Sequence, residues 1–194
     1  MATTATPYGL RLVKRLGDTN QSHAFTQYPI ASGYAADLKT GDLVKLAIGG
    51  TIQKETGTTA ALPIGVFMGV SYTDPNMKYW VQKQQWLSGT VAPDAMAYVC
   101  EDPDALFQIQ ANGTLSQNAV GTNAALVQGT GNVTLGISGV SLNAGSIALT
   151  ATLPLRIMDL IRIPGFSTPG DAYTDCIVRV NTHFNRTATG NAPA

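Results

Sequence analysis

The 194 residues carry twelve Lys and Arg against twelve Asp and Glu, a formal net charge of zero, with 44% hydrophobic and 12% charged residues. That apolar share builds a real core and argues against disorder, while balanced charge offers no basic surface to neutralise phosphates, so nucleic acid is not an expected partner. A charged fraction about half the roughly 25% usual for soluble domains suits a molecule that ends up packed in an assembly.

The chain reads as an N-terminal arm (1–10), a single β-rich domain (11–186) with a loop-rich insertion (114–152), and a flexible tail (187–194). Ala2 to Gly9 is polar and aperiodic, which predicts an arm ordered only when a partner holds it. Met1 to Pro7 has neither a positive region nor an apolar one, and no run of about 18 apolar residues follows, so no secretion signal or membrane partner is expected. From Asp42 to Ile48, Val44, Leu46 and Ile48 share one face, and Gly49-Gly50 permits a tight reversal into Thr51 to Glu55, a hairpin. Pro63 opens a strand in which Val66, Met68, Val70 and Tyr72 face one way and Gly65, Gly69 and Ser71 the other. Asp74-Pro75-Asn76 breaks it, and a second strand, Lys78 to Leu87, returns from that turn.

Ala95 to Cys100 and Leu106 to Ala111 form the clearest pair of strands, joined by a Glu101-Asp102-Pro103-Asp104 turn. Glycines at 121, 129, 131, 136, 139 and 145 predict short strands and long loops, with a brief helical turn near Leu115 to Val120. A strand from Leu155 to Ile161 precedes a loop marked by Pro164-Gly165 and Pro169-Gly170. In the closing segment Cys176, Val178, Val180, Thr182 and Phe184 oppose Asp175, Ile177, Arg179, Asn181 and His183, and no proline interrupts it, which fits a central strand. The fold class is all-β: a compact antiparallel β-barrel or sandwich with long Gly/Thr-rich loops and a flexible N-terminal arm.

Chemistry-bearing residues are sparse. Cys100 and Cys176 lie in no close-spaced ligand pattern and read as buried small apolar residues. His23 and His183 lie far apart with no ligand beside either, so no metal or other cofactor is expected, and His183 falls on the polar side of the last strand as a surface or interface imidazole. No GxSxG or GxxxxGK[ST] occurs, and Gly136 comes too late after Gly129-Thr130-Gly131 for a dinucleotide loop, so no enzyme is expected. Glu101, Asp102 and Asp104 read as a turn, not a calcium site. Trp80 and Trp86, with Tyr79, admit three readings: core packing, a carbohydrate platform, or a protein-interface anchor.

The runs Pro7-Tyr8-Gly9-Leu10-Arg11, Pro29-Ile30-Ala31-Ser32-Gly33-Tyr34, Gly41-Asp42-Leu43-Val44-Lys45-Leu46 and Pro63-Ile64-Gly65-Val66-Phe67 are followed by Ser71-Tyr72-Thr73-Asp74. Later come Ala97-Tyr98-Val99, Asp102-Pro103-Asp104-Ala105-Leu106-Phe107, Leu153-Pro154-Leu155-Arg156-Ile157 and Thr182-His183. Together these resemble the capsid decoration or cement proteins of tailed phages, known mainly from short-tailed phages of aquatic bacteria. The resemblance implies a small β-rich virion protein made in the host cytoplasm and bound to the outer surface of the head, where its partner is the major capsid protein. It implies a homo-oligomer, dimer or trimer, or a bridge between neighbouring capsomers. The candidate interface residues are Tyr8, Leu10, Arg11 and Leu12 near the arm, and Tyr79, Trp80 and Trp86. The alternative is a virion-displayed receptor- or glycan-binding module with Trp80 and Trp86 as its stacking surface; a hydrolase ranks behind both, because no acid/base pair can be named.

Overall fold

The computed structural model describes residues 4–17, 25–58 and 61–187. His23 and Asn20 therefore lie outside the described residues, as do positions 1–3 of the arm and 188–194 of the tail. In chain order the strands are β1 (Arg11–Arg15), β2 (Thr26–Pro29), β3 (Leu38–Lys39), β4 (Leu43–Leu46), β5 (Ile52–Lys54), β6 (Gly65–Thr73), β7 (Trp80–Lys83) and β8 (Gln85–Trp86). They continue with β9 (Met96–Cys100), β10 (Ala105–Gln110), β11 (Asn123–Ala124), β12 (Leu126–Val127), β13 (Ser141–Leu142), β14 (Leu155–Leu160) and β15 (Asp175–Val180).

One five-stranded sheet runs β1-β10-β15-β14-β11; a second runs β2-β9-β6-β4-β5, with β7 also pairing β6; β3-β8 and β12-β13 form small ribbons. The chain is all-β, with antiparallel sheets that remain open instead of closing into a barrel. The inner face of the five-stranded sheet (Phe107, Ile109, Ile157, Val178) packs with Leu43, Val66 and Cys100 of the second sheet to make the first core. A second core joins Val44, Ile52, Phe67, Val70 and Val99 to Leu38 and Trp86 of the β3-β8 ribbon. Long strands of the second sheet thus serve both cores, which alternation permits because successive side chains point to opposite faces.

The exception to strict alternation lies in β6. Its register against β9 shifts between Phe67 and Gly69, and Gly69 adopts φ 152°. One extra residue inverts the parity of everything beyond it. The expected common face of Val66, Met68, Val70 and Tyr72 is therefore split: Val66 and Met68 pack on the first core, Val70 and Tyr72 on the second.

The β4-β5 hairpin forms as expected, with Gly49 and Gly50 both left-handed at φ 89° and 76°. Ile48 sits in its turn, exposed, instead of sharing a face with Val44 and Leu46. The pair β9 and β10 is not a hairpin, since the two strands enter different sheets. Their connection is an arch: Asp102 accepts the Asp104 N–H on its side chain at 2.9 Å and the Ala105 N–H on its carbonyl at 3.1 Å, while Cys100 and Ala105 both enter the first core. Lys78 to Leu87 contains two strands, β7 on β6 and β8 on β3, because the carbonyl of Gln84 turns aside to accept the Thr40 N–H at 3.1 Å.

The last strand is central, flanked by β10 and β14, as its sequence suggests. It ends at Val180, so His183 leaves the sheet and is 1% exposed, not a surface imidazole. The insertion contains only two-residue strands and two 3-10 turns, one at Gln117–Ala119 inside the expected stretch. Gly129, Gly131 and Gly139 are close-packed: a Cβ on Gly129 would lie 2.2 Å from the Gly139 carbonyl oxygen, and one on Gly139 2.2 Å from the Gly131 nitrogen. The described part of the arm makes hydrogen bonds to its own domain. Thr6 N–H reaches Gln110 Oε1 at 2.8 Å, Tyr8 Oη donates to Asp175, Gly9 N–H reaches the Val140 carbonyl at 3.1 Å, and Leu10 N–H the Gly41 carbonyl at 2.9 Å.

Candidate interaction surface

The tip between β6 and β7 is organised by one carboxylate. Asp74 accepts the N–H groups of Asn76 at 2.9 Å and Met77 at 3.2 Å, its carbonyl accepts the Lys78 N–H at 2.8 Å, and its own N–H reaches the Tyr79 carbonyl at 2.9 Å. The two N–H donors hold the Asp74 carboxyl below its ordinary value. This closed turn, with Lys78 at φ 59°, keeps Met77, Tyr79 and Trp80 more than half exposed, with Tyr79 Oη donating to Met77 Sδ at 2.9 Å.

Strand register extends the patch. Trp80 lies opposite Thr73 and Gln82 opposite Ser71; on the other side of β6, Ser71 faces Met96 and Gly69 faces Tyr98. Those in turn face Pro29 and Gln27 of β2. Residues paired across strands share a sheet face, so Gln27, Pro29, Met96, Tyr98, Ser71, Thr73, Gln82 and Trp80 form one four-strand surface, and no charged residue is among them. Tyr98 Oη donates to Ser71 Oγ at 3.3 Å across it. Asp94 marks its border, accepting the Thr73 hydroxyl at 2.6 Å and N–H at 3.0 Å; the hydroxyl is the main reason the Asp94 carboxyl lies below its ordinary value.

Tyr79 and Trp80 therefore stand at a surface, but Trp86 does not join them. It is 0% exposed, its ring meets the Tyr72 ring edge-on at 5.6 Å, and its Nε1–H points to the Tyr34 carbonyl at 3.4 Å. The strand break at Gln84 and the pairing of β8 with β3 turn it into the second core, which leaves no platform of two tryptophans. The other four candidates lie elsewhere. Tyr8, Leu10, Arg11 and Leu12 line a groove of about 420 Å³ with Thr40, Gly41, Met68 and Ile137. Leu10 is its buried floor at 1% exposure, and Arg11 is exposed. The groove lies beside the outer edge of β1, which no described strand pairs.

No known family model, curated protein or solved structure matches this chain. Among the described residues no group of three or more His, Cys, Asp or Glu is placed to hold a metal ion, and no helix is long and apolar enough to cross a membrane. Cys100 and Cys176 are free and buried, and burial pushes the Cys100 thiol up to about 11. Met77, Met96, Tyr98, Gln27 and Pro29 are the surface residues that sequence reading missed. Their proximity follows from the strand order β2-β9-β6-β7, for which no local pattern is a signal.

Proposed function

We propose that this chain is a capsid cement or decoration protein, bound to the outer surface of a phage head through its exposed sheet face. The observation that carries this reading is the uncharged four-strand surface ending in Trp80, with Met77 and Tyr79 held beside it on a closed turn. The residues of that surface carry no ion, and the carboxylate at its border, Asp94, is already engaged by the Thr73 hydroxyl and N–H, so little charge opposes burial. Aromatic and methionine side chains are the residue types enriched where protein interfaces bury area. A standard interface buries on the order of 1,600 Å², and an oligomer that engages several lattice positions multiplies a modest single affinity. Separating two capsomers then requires exposing the cement contact as well, without any bond-making step. Dimers or trimers on local symmetry axes fit this role, and the sequence resemblance points the same way.

The alternative, a glycan- or receptor-binding module, now rests on Trp80 without Trp86. Particles stripped of the protein separate the readings. Cement function predicts heads that release DNA at lower temperature and recover when purified protein is added back. Stripped particles that keep their heat resistance but no longer adsorb to cells would overturn the cement reading in favour of the alternative.

A further inference from the structure

Four of the six arginines lie on strands of one sheet, Arg11 and Arg15 on β1, Arg156 on β14 and Arg179 on β15; Arg162 follows β14, and Arg186, in the 3-10 turn Phe184–Arg186 after β15, reaches the same Asp104 as Arg179. Among the lysines only Lys14 joins them on that sheet. Register places a subset in rows. Lys14, Leu106, Arg179, Arg156 and Asn123 lie side by side from β1 to β11, and Arg11, Gln108, Ile177 and Asp159 form the next row. Phe107, Val178 and Ile157 fill the first core from the same strands at the alternate positions, so both rows point away from that core; Leu106 and Asn123 are themselves buried, and the remaining members are at least partly exposed.

Cations outnumber carboxylates on this side of the sheet: Asp102 is paired with Arg15 at 3.0 Å, and Asp175, buried in the following row, accepts from Tyr8 Oη. Arg179 and Arg156 stand directly opposite each other, an arrangement that repels. Asp104 serves both Arg179, at 3.7 Å, and Arg186. Arg156 has the neutral amide oxygen of Asn123 at 3.0 Å, and Asp159 is paired with Arg162 at 3.0 Å. Arg11 and Lys14 are exposed, and among the described residues neither has a carboxylate within ion-pair distance. Burial, then Arg186 and Arg156, pull the Arg179 guanidinium below its ordinary value against the opposing pull of Asp104.

We infer that this outward face of the five-stranded sheet docks against a carboxylate-bearing protein surface. Guanidinium forks match side-chain carboxylates, and within the chain one oxygen of Asp104 already draws both Arg179 and Arg186. A phosphate backbone fits the face poorly. Asp104 and Asp159 interrupt the cations, Gln108 and Ile177 lie between them, and a chain of zero net charge gives a polyanion no long-range attraction. Arginine set among apolar and amide side chains is instead the composition of a protein interface. The inference stands apart from the capsid reading, since it concerns the partner's chemistry and a different sheet.

The test is titration of the full chain with labelled poly-L-glutamate and, separately, with duplex DNA of matched charge, at about 0.15 M salt. Poly-L-glutamate binds more tightly than the duplex, and the double variant Arg11→Gln/Arg156→Gln weakens it about tenfold, roughly 1.4 kcal/mol. The control Lys45→Gln/Lys78→Gln leaves it unchanged. Should loss of the Asn123 contact unfold the first variant, Arg11→Gln/Lys14→Gln, at two exposed positions, gives the same reading. Tighter binding to DNA, no binding to poly-L-glutamate, or equal loss in the control overturns the inference. Particle add-back reports on the capsid reading alone, so the two fail separately.

Discussion

Trp86 fills the second core against Tyr72, whereas Trp80 projects from β7 with 61% of its surface exposed. Replacing Trp86 with Ala leaves a cavity and costs about 3–5 kcal/mol, visible as an earlier denaturant midpoint. Trp80→Ala changes the midpoint by about 0.5 kcal/mol or less while weakening attachment to particles; the reverse pattern would exchange their roles. His183 is the other residue whose environment decides its behaviour. Its Nδ1 accepts the Asn185 N–H at 3.1 Å, and its Nε2 is buried. Burial, then the charge of Arg186, lowers its proton affinity despite the opposing carboxylates of Glu101 and Asp102. The unfolded chain then takes up a proton that the folded one refuses. The stability involved is complete above the ordinary imidazole value and drains away as pH falls below about 6.5. Thermal midpoints measured from about pH 7.5 down to about 5.5 fall less steeply for His183→Gln than for the parent protein; parallel slopes would refute this.

At the scale of elements, contacts between backbones impose the tightest constraints. Gly129, Gly131 and Gly139 let two stretches of the insertion touch without intervening side chains. Gly139→Ala therefore costs about 1–3 kcal/mol through overpacking. Gly145→Ala, where the nearest atom to a new Cβ is 3.4 Å away, stays within about 0.5 kcal/mol; urea titration of both variants distinguishes them, and equal midpoints would mean the insertion adjusts freely. The same scale shows what the chain discloses in one dimension. The β4-β5 hairpin is legible because Gly49-Gly50 marks a turn between two short apolar runs, and the central place of β15 fits a segment that no proline interrupts. The β9-β10 arch is not legible, since a turn rich in aspartate looks the same whether its strands pair or part. The β6 bulge hides because Met68 and Gly69 continue the apparent period of two. The even spacing of Trp80, Gln82, Gln84 and Trp86 likewise passes through a strand break, which is why the two tryptophans read as one candidate site and separate in the fold.

For the whole molecule, net charge conceals an uneven distribution. The formal sum is zero, yet arginine gathers at the five-stranded sheet while the open face of β2-β9-β6-β7 carries no charge inside its border at Asp94. Composition alone reveals the weakly charged surface; only strand order shows that its residues sort into two chemically different faces. That separation gives a bridging protein two kinds of contact, one driven by buried apolar area and one by paired ions. Salt therefore acts on them differently, weakening the second and sparing the first. The most direct test of the adhesive account is a density map of the intact virion. The account places this chain outside the head, over junctions between capsomers, with the face containing Trp80, Met96 and Tyr98 against the shell. Density confined to the tail or fibres, or a head-bound chain with that face turned to solvent, would contradict it.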